Sequence, residues 1–370
     1  MRLLYLVTED LYFWSHRLPL ARAARDAGYE VLVATAPGDL RARIESEGFR
    51  YFPLQLRRGP RNPWQHLAAV RELTRLYRYE RPDIVHHVSM LPVLAGSIAA
   101  RRAGITRVVN TVTGLGHVFL AQGAAAALRR ALVQRAYRHA LAHTRVVFQN
   151  RDDLELFTQR RLVRPGQCVI IPGSGVDTDR FVPTPEPEGD PMILYTGRML
   201  WTKGLRELAA AARILKRRGL RFQVVLAGRR DEANPACLSE HEIRAWEGEG
   251  LLQWAGHVDD IAPLLRASAI VCLPSYREGL PLSLLEGAAS ARPLVATDVP
   301  GCRDVVRDGV NGGLVPACAP DSLAAALRVL LEDRDLRRTM GKAGRRLVLQ
   351  RFALQHVIPA TLALYQQHGG

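Results

Sequence analysis

Residues 176–197 read VDTDRFVPTPEPEGDPMILYTG. Residues 176–191 are rich in proline and acid and carry no hydrophobic period, so they read as a linker. MILYTG, residues 192–197, is an apolar run closed by glycine, the form of a buried strand running into a turn. Similar texture lies on both sides of the linker. Upstream, RLLYLV, EVLVAT, RYFPL, DIVHHV, TRVVNTV, VVFQN and CVIIPG alternate with helical patterns near 16–27, 38–48 and 64–79, from 91, and over 124–142. Downstream, MILYTG is followed by FQVVLAG, LLQWAG, AIVCLP, PLVAT and GGLVP, each with a helix or turn after it. Short apolar strands separated by helices predict parallel sheets covered on both faces. The fold class is therefore α/β, with two doubly wound parallel-sheet domains. Such a pair places its ligand in the cleft, at the carboxyl ends of strands. The expected boundaries are 1–175, a linker over 176–191, 192–345, and a C-terminal helix over 346–370 packing back toward the first domain.

Composition narrows the class. At 370 residues, 48% hydrophobic and 24% charged, the chain has the length and make-up of two globular cores. No run approaches the ~18 apolar residues that a spanning helix needs. The start, MRLLYLVTEDLYFWSHR, has an apolar run cut off by Glu9 and Asp10; it suits a buried first strand better than a signal peptide. Cys168, Cys237, Cys272, Cys302 and Cys318 show no CxxC spacing, so free thiols in a reducing cytosol and no zinc site are expected. GLGHVF (114–119) and GSGVDT (173–178) lack the third glycine of a dinucleotide fingerprint, and no Walker A, HExxH or GxSxG occurs. A nicotinamide enzyme or a P-loop NTPase is disfavoured.

The net charge of +15 is uneven: residues 1–183 hold 27 basic against 15 acidic residues, and residues 184–370 hold 24 against 21. An excess in one half suggests an anionic partner there, although an arginine-rich composition with three lysines is the plain alternative. The basic residues of that half cluster at His16 and Arg17, at Arg57, Arg58 and Arg61, and at Arg129, Arg130, Arg135 and Arg138. The last group is spread round its helix, unlike a clean amphipathic anchor. Nucleic acid is not an expected partner, because aromatics are only 6% and no reader motif is present.

Two loops carry the chemistry. TGRMLWTKG, 196–204, follows the first strand of the second domain and opens a helix near Leu205. Arg198 and Lys203 can converge there on one anion, and helix N-terminal amides add to the same field. Such a site suits a diphosphate whose charge grows as a bond breaks. EGLPLSLLE, 278–286, follows AIVCLPSY. Pro281 suits the first helical turn, which leaves Glu278 in the loop and Glu286 roughly 7–8 Å along the helix axis. The amides of Gly279 and Leu280 lie between them. A carboxylate accepting from a vicinal diol fits ribose or hexose hydroxyls. An acid/base pair flanking one glycosidic bond is less convincing, because the cations at 198 and 203 would go unexplained.

GRMLWTKG, followed by PSYREGLPLSLLEGAASARPLVATDVPGCRDVVRDGVNGGLV, resembles the motif set of retaining glycosyltransferase family 4, with its E-x7-E motif and GT-B fold of two Rossmann-like domains. In the first half, SHRLPLARAARDAGYEVLVAT, RPDIVHHVSMLPVLAGSIAARRAGI, NTVTGLGHVF and FQNRDD are similar to the same family, in a bacterial branch that builds surface polysaccharides and lipid-linked oligosaccharides. The resemblance implies that Glu278, with the amides of Gly279 and Leu280, meets the donor sugar. It implies that Glu286 holds the ribose, that Arg198 and Lys203 bind the diphosphate, and that Val258 offers backbone to the base. Gly114 and Gly116 would approach the donor from the first domain. Many members have His-Gly after this strand; here Thr113-Gly114 stands there and His117 follows, so the role of His117 stays open between the sugar and the acceptor side. DTD at 177–179 reads as turn and capping chemistry, not a metal site, and Asp152-Asp153 and Asp259-Asp260 read as helix caps.

The expected activity is retaining transfer of a hexose or N-acetylhexosamine from a nucleotide diphosphate sugar, UDP by preference, with no cofactor and no essential metal. A polyprenyl-diphosphate-linked or saccharide acceptor is expected in the first domain, with His16 and Arg17 as contacts. The protein would be cytoplasmic and lean on the anionic inner face of the bacterial membrane. Its rivals are a nucleotide-sugar 2-epimerase of the same fold and, on charge alone, a nucleic-acid-binding protein.

Overall fold

The computed structural model describes residues 1–55, 63–114 and 124–366. The chain divides into two compact units, one of residues 1–174 with 355–370 and the other of residues 175–354.

The first unit holds β1 (Arg2–Glu9), β2 (Glu30–Ala36), β3 (Arg50–Pro53), β4 (Ile84–Val88), β5 (Val108–Val112), β6 (Arg145–Phe148) and β7 (Cys168–Ile170), in the order β3-β2-β1-β4-β5-β6-β7. The second holds β8 (Met192–Thr196), β9 (Gln223–Ala227), β10 (Gln253–Trp254), β11 (Ile270–Leu273), β12 (Leu294–Thr297) and β13 (Gly312–Val315), in the order β10-β9-β8-β11-β12-β13. The pairings between these strands are parallel. This is the doubly wound α/β class read from the sequence.

The strands explain why. Leu3, Tyr5 and Val7 pack into one core, while Leu4 and Leu6 pack into another on the opposite face. Alternate residues serve both faces, so no polar alternation survives in β1. Each such Leu buried on folding contributes roughly 1.5–3 kcal/mol. The polar pair on β4, His86 and His87, points to opposite faces of the sheet, and hydrogen bonds satisfy each. His86 Nδ1 meets the Tyr365 hydroxyl at 2.6 Å and its Nε2 meets Thr111 Oγ1 at 2.7 Å. His87 Nδ1 meets Asn110 Oδ1 at 2.9 Å, and its Nε2 meets the Tyr77 hydroxyl at 3.0 Å.

Three expectations need correction. The helix expected over 16–27 is Leu18–Asp26, with Pro19 in its first turn, but a further helix, Asp10–His16, precedes it where none was expected. The stretch 176–191 is not a free linker but part of the second unit. Glu186 is held by Arg337 at 2.5 and 2.9 Å, and Val176 and Phe181 enter the core. The C-terminal helix over 346–370 is replaced by Arg334–Arg351 in the second unit and Leu354–Gln366, whose Tyr365 hydroxyl bonds that of Tyr5 at 2.9 Å.

Candidate functional site

In each sheet the strand order reverses between the first strand and the fourth. That switch point, at the carboxyl ends, is where loops part and a ligand crevice opens. In the second unit the loops there follow β8 and β11, and they carry the residues singled out from the sequence.

The loop after β8 is shaped by glycine and a buried phenol. Gly197 has φ 152°, and the hydroxyl of Tyr195 donates to the carbonyl of Arg198 at 2.8 Å. The Arg198 side chain then reaches Asp231, after β9, with Nη1 2.6 Å from Oδ2. A short turn, Trp201–Lys203, ends on Gly204 with φ 73°, and the helix Leu205–Arg217 begins. A side chain at 204 would put its Cβ 2.0 Å from the carbonyl oxygen of Pro274, so glycine lets the two loops touch. Their seam is fastened by Tyr276, whose N–H donates to Thr202 O at 2.9 Å and whose hydroxyl donates to Glu207 at 2.7 Å. The loop after β12 supports it from beneath. Thr297 Oγ1 donates to Ser275 O, and Gly301 fits with φ 80° where a Cβ would lie 2.4 Å from Gly279 O.

Within this frame Lys203 and Glu278 are brought together as an ion pair, their side chains 20% and 11% exposed. The expected diphosphate ligand and the expected sugar ligand hold each other. Gly279 and Leu280 are buried beside them. Pro281 takes the N-cap position, one residue outside the helix Leu282–Ala289, with φ −75° and ψ 116°; the turn expected to contain it starts after it. Glu286 lies on that helix, half-buried, and no partner for its carboxylate is found among the described residues. Burial pushes its carboxyl up to about 8, against a pull downward from Arg180. Burial, with Glu278 adding to it, also raises the Tyr195 phenol and the Cys302 thiol well above their ordinary values. Val258 follows β10 and packs, partly buried, against the same core.

The remaining expected residues lie elsewhere. Gly114 follows β5 in the first unit with φ 119°. Gly116 and His117, and Arg57, Arg58 and Arg61, fall outside the described residues. His16 and Arg17, expected as a pair, part company. His16 stacks on Tyr12 with ring centroids 4.2 Å apart and its Nδ1 lies 2.7 Å from Ser15 Oγ, whereas Arg17 is buried between the two helices.

Two family models match the chain: "Glycosyl transferase 4-like" over residues 2–150 and "Glycosyl transferases group 1" over residues 177–347. The chain is one of the GT-B glycosyltransferases. It is 26% identical over 357 residues, 92% of each chain, to the N,N'-diacetylbacillosaminyl-diphospho-undecaprenol alpha-1,3-N-acetylgalactosaminyltransferase of Campylobacter jejuni. It is 28% identical over 284 residues, 71% of this chain and 70% of the relative, to the UDP-Gal:alpha-D-GlcNAc-diphosphoundecaprenol alpha-1,3-galactosyltransferase of Escherichia coli. Among solved structures, sucrose-phosphate synthase from Thermosynechococcus elongatus superposes with a TM-score of 0.83, covering 99% of this chain and 98% of its own at 22% identity, a likeness of fold.

Sequence reading of the transferase missed Asp231, Tyr276 with Glu207, and Gly301. The signal for Asp231 was positional only: it stands just beyond the carboxyl end of a strand, where ligand loops lie. The acids at 177–179 form a turn, with Asp177 Oδ1 accepting the N–H groups of Asp179 and Arg180 at 3.0 Å each. Asp152 and Asp153 are not caps; Asn150 is, accepting the Asp153 N–H at 2.8 Å. Among the described residues no helix is long and apolar enough to cross a membrane.

Proposed function

We propose that the transferase moves a hexose or N-acetylhexosamine, with retention, from a UDP-sugar to a polyprenyl-diphosphate-linked saccharide in surface-polysaccharide assembly. The convergence of Lys203 and Glu278 at the second unit's switch point, with Arg198 on the same loop as Lys203 and Glu286 on the helix after Glu278, carries this reading. On it, the donor diphosphate takes Lys203 from Glu278, and Glu278 turns to a sugar hydroxyl beside the Gly279 and Leu280 amides. Glu286 accepts from the ribose hydroxyls, and the backbone at Val258 meets the base. The bond from the anomeric carbon to the phosphate oxygen breaks, and its electron pair leaves with UDP. Arg198 and Lys203 stabilise that charge, so no metal is called for. The acceptor hydroxyl attacks the same face, and its proton passes to the departing phosphate oxygen. Positioning and charge stabilisation do the rest. The names of the two relatives, which transfer galactose-type sugars to undecaprenyl-diphosphate saccharides, support donor and acceptor class.

Membrane contact belongs to the same proposal. On the helix Ala124–Leu141, Leu132 is 59% exposed near the exposed Arg135 and Arg138, a surface suited to an anionic leaflet on the cytoplasmic side. Flotation with liposomes tests it: capture by anionic and not neutral vesicles is expected, and equal negligible capture removes it. For the activity, the purified chain is incubated with a panel of UDP- and GDP-sugars and undecaprenyl-diphosphate saccharides, with products weighed by mass spectrometry. A product one sugar heavier is expected. Donor turnover without any acceptor, or no turnover across the panel, would overturn the reading.

A further inference from the structure

The break between the helices Asp10–His16 and Leu18–Asp26 holds a cation inside the first unit with no counter-ion among the described residues. Arg17 is 2% exposed, and among the described residues its Nε and Nη2 have no hydrogen-bond partner. The titratable groups that feel its charge are Tyr5, Tyr365 and His86, and burial keeps all three neutral by raising the phenols and lowering the imidazole. They also bond one another and Thr111, as described above, and none of them accepts from Nε or Nη2 of the guanidinium. Asp10, the acid closest in sequence, is engaged elsewhere: its carboxylate accepts the N–H of Leu11 at 2.7 Å and of Leu40 at 2.9 Å. A buried charge left without anion or acceptor costs several kcal/mol, and such a group calls for an explanation.

We propose that Arg17 is the seat of the acceptor's diphosphate, gripping two oxygens of one phosphate group with the Nε–Nη2 edge of its guanidinium. The proposal rests on the acceptor class given under Proposed function. The two orphaned donors are not scattered. They form one edge of the planar fork, the edge whose parallel N–H groups match a phosphate bidentately. The place fits as well. Arg17 follows β1, and β1 and β4 are the strands between which this sheet reverses its order. Beyond β4, Ser89 is held at φ 79° and ψ 165°, a region that is nearly glycine-only and whose occupants cluster at ligand sites.

The test titrates the full chain, saturated with UDP, with farnesyl diphosphate as a soluble stand-in for the lipid diphosphate. Wild type is compared with Arg17→Lys, which keeps the charge and loses the fork, and Arg17→Met, which removes both. A loss of about 10-fold to 100-fold in farnesyl diphosphate affinity is expected for Arg17→Met, and a smaller loss for Arg17→Lys. Inorganic pyrophosphate should compete in the wild type, farnesol should not bind, and UDP affinity should stay within about twofold in both variants. With its uncompensated charge gone, Arg17→Met should melt no lower than wild type; if it fails to fold, Arg17→Lys decides. Unchanged farnesyl diphosphate affinity in the variants, or a loss confined to UDP, overturns the assignment. Failure of the transfer assay would instead strike the functional reading, because this titration needs no turnover.

Discussion

The two units reverse strand order at equivalent places and treat their cations there in opposite ways. In the second unit Lys203 is paired with Glu278 and Arg198 with Asp231, each pair partly open to solvent. In the first, Arg17 is buried and, among the described residues, unpaired. A partly exposed ion pair is cheap to make and cheap to trade, so on the proposed function the donor diphosphate would displace these pairs. A buried lone charge is expensive until a partner arrives, so on the proposal for Arg17 the first unit would store a bias toward binding. If both proposals hold, one scaffold supports a site that exchanges partners and a site that awaits one.

The sharpest way to break that contrast is to remove each half of the exchangeable pair. Lys203→Ala and Glu278→Ala should each lower transfer by about 10²–10³-fold or more, the scale of losing a preorganised charged contact. Their effects on UDP affinity should differ in sign. Lys203→Ala leaves an unopposed carboxylate facing the phosphates and weakens binding; Glu278→Ala frees the lysine and tightens it. Calorimetry beside steady-state rates separates the two. Equal weakening would mean that the pair is a structural bridge and not a pair of exchangeable ligands.

Next in size is the seam that brings the pair together. Gly204→Ala forces a Cβ against Pro274 O, whereas Gly219→Ala, with φ 77°, meets nothing within 4 Å. The first should cost more than ~3 kcal/mol of stability and the second about 1 kcal/mol, the strain of the left-handed backbone alone. Denaturant midpoints check both. Similar losses would show that backbone conformation, not the loop contact, requires glycine at 204.

These particulars mark what the sequence could and could not say. The strands were legible because parallel strands buried on both faces are short, unbroken apolar runs. Lys203, Glu278 and Glu286 were legible as candidates because they sit in loops after strands or in the second turn of the helix that follows, positions that spacing reveals. Asp231 and Gly301 were not, because each acts through a loop brought alongside from another part of the chain, and no local period encodes that approach. Arg17 was visible as a basic residue in a helical stretch. Its burial and its unpartnered Nε and Nη2 are set by packing across the unit, which no local period encodes. The acid-rich stretch over 176–191 misled for the same reason: Arg337 and Arg345 arrive from a distant helix to hold it.

The units should also respond to pH in opposite directions. Burial lowers His87 to about 4 and lowers His86 well below 6.5, so the folded first unit refuses protons that the unfolded chain takes up. Their contribution is present above the unfolded value and lost as pH falls from about 6.5 toward 4. Each pH unit of that window costs up to ~1.4 kcal/mol per histidine. Urea midpoints at pH 7 and pH 5 measure it. A first unit equally stable at both would mean that these histidines charge without penalty, against the closed networks in which they lie.

Glu286 gives the smallest and most discriminating effect. Its folded carboxyl sits near 8 and not at the ordinary 4.5, raised by burial, so the folded state holds a proton that the unfolded chain releases. The stability it contributes is complete below the unfolded value and is lost as pH rises through the folded one; at neutral pH the residue is a burden. Glu286→Gln should therefore raise the second unit's melting point by a few degrees at pH 7, on the order of 1–2 kcal/mol. The same change should weaken UDP binding by about 10-fold, because an amide presents one acceptor where the carboxylate presents two to the ribose hydroxyls. Wild-type affinity should climb between pH 6 and 8 as the carboxylate forms, with protons released on binding, and the Gln variant should be flat. Calorimetry in two buffers of different ionisation enthalpy reads that proton directly. Proton uptake, or a pH profile shared by wild type and variant, would remove Glu286 from the ribose and leave it a buried helix acid, with the exchangeable pair at 203 and 278 standing alone.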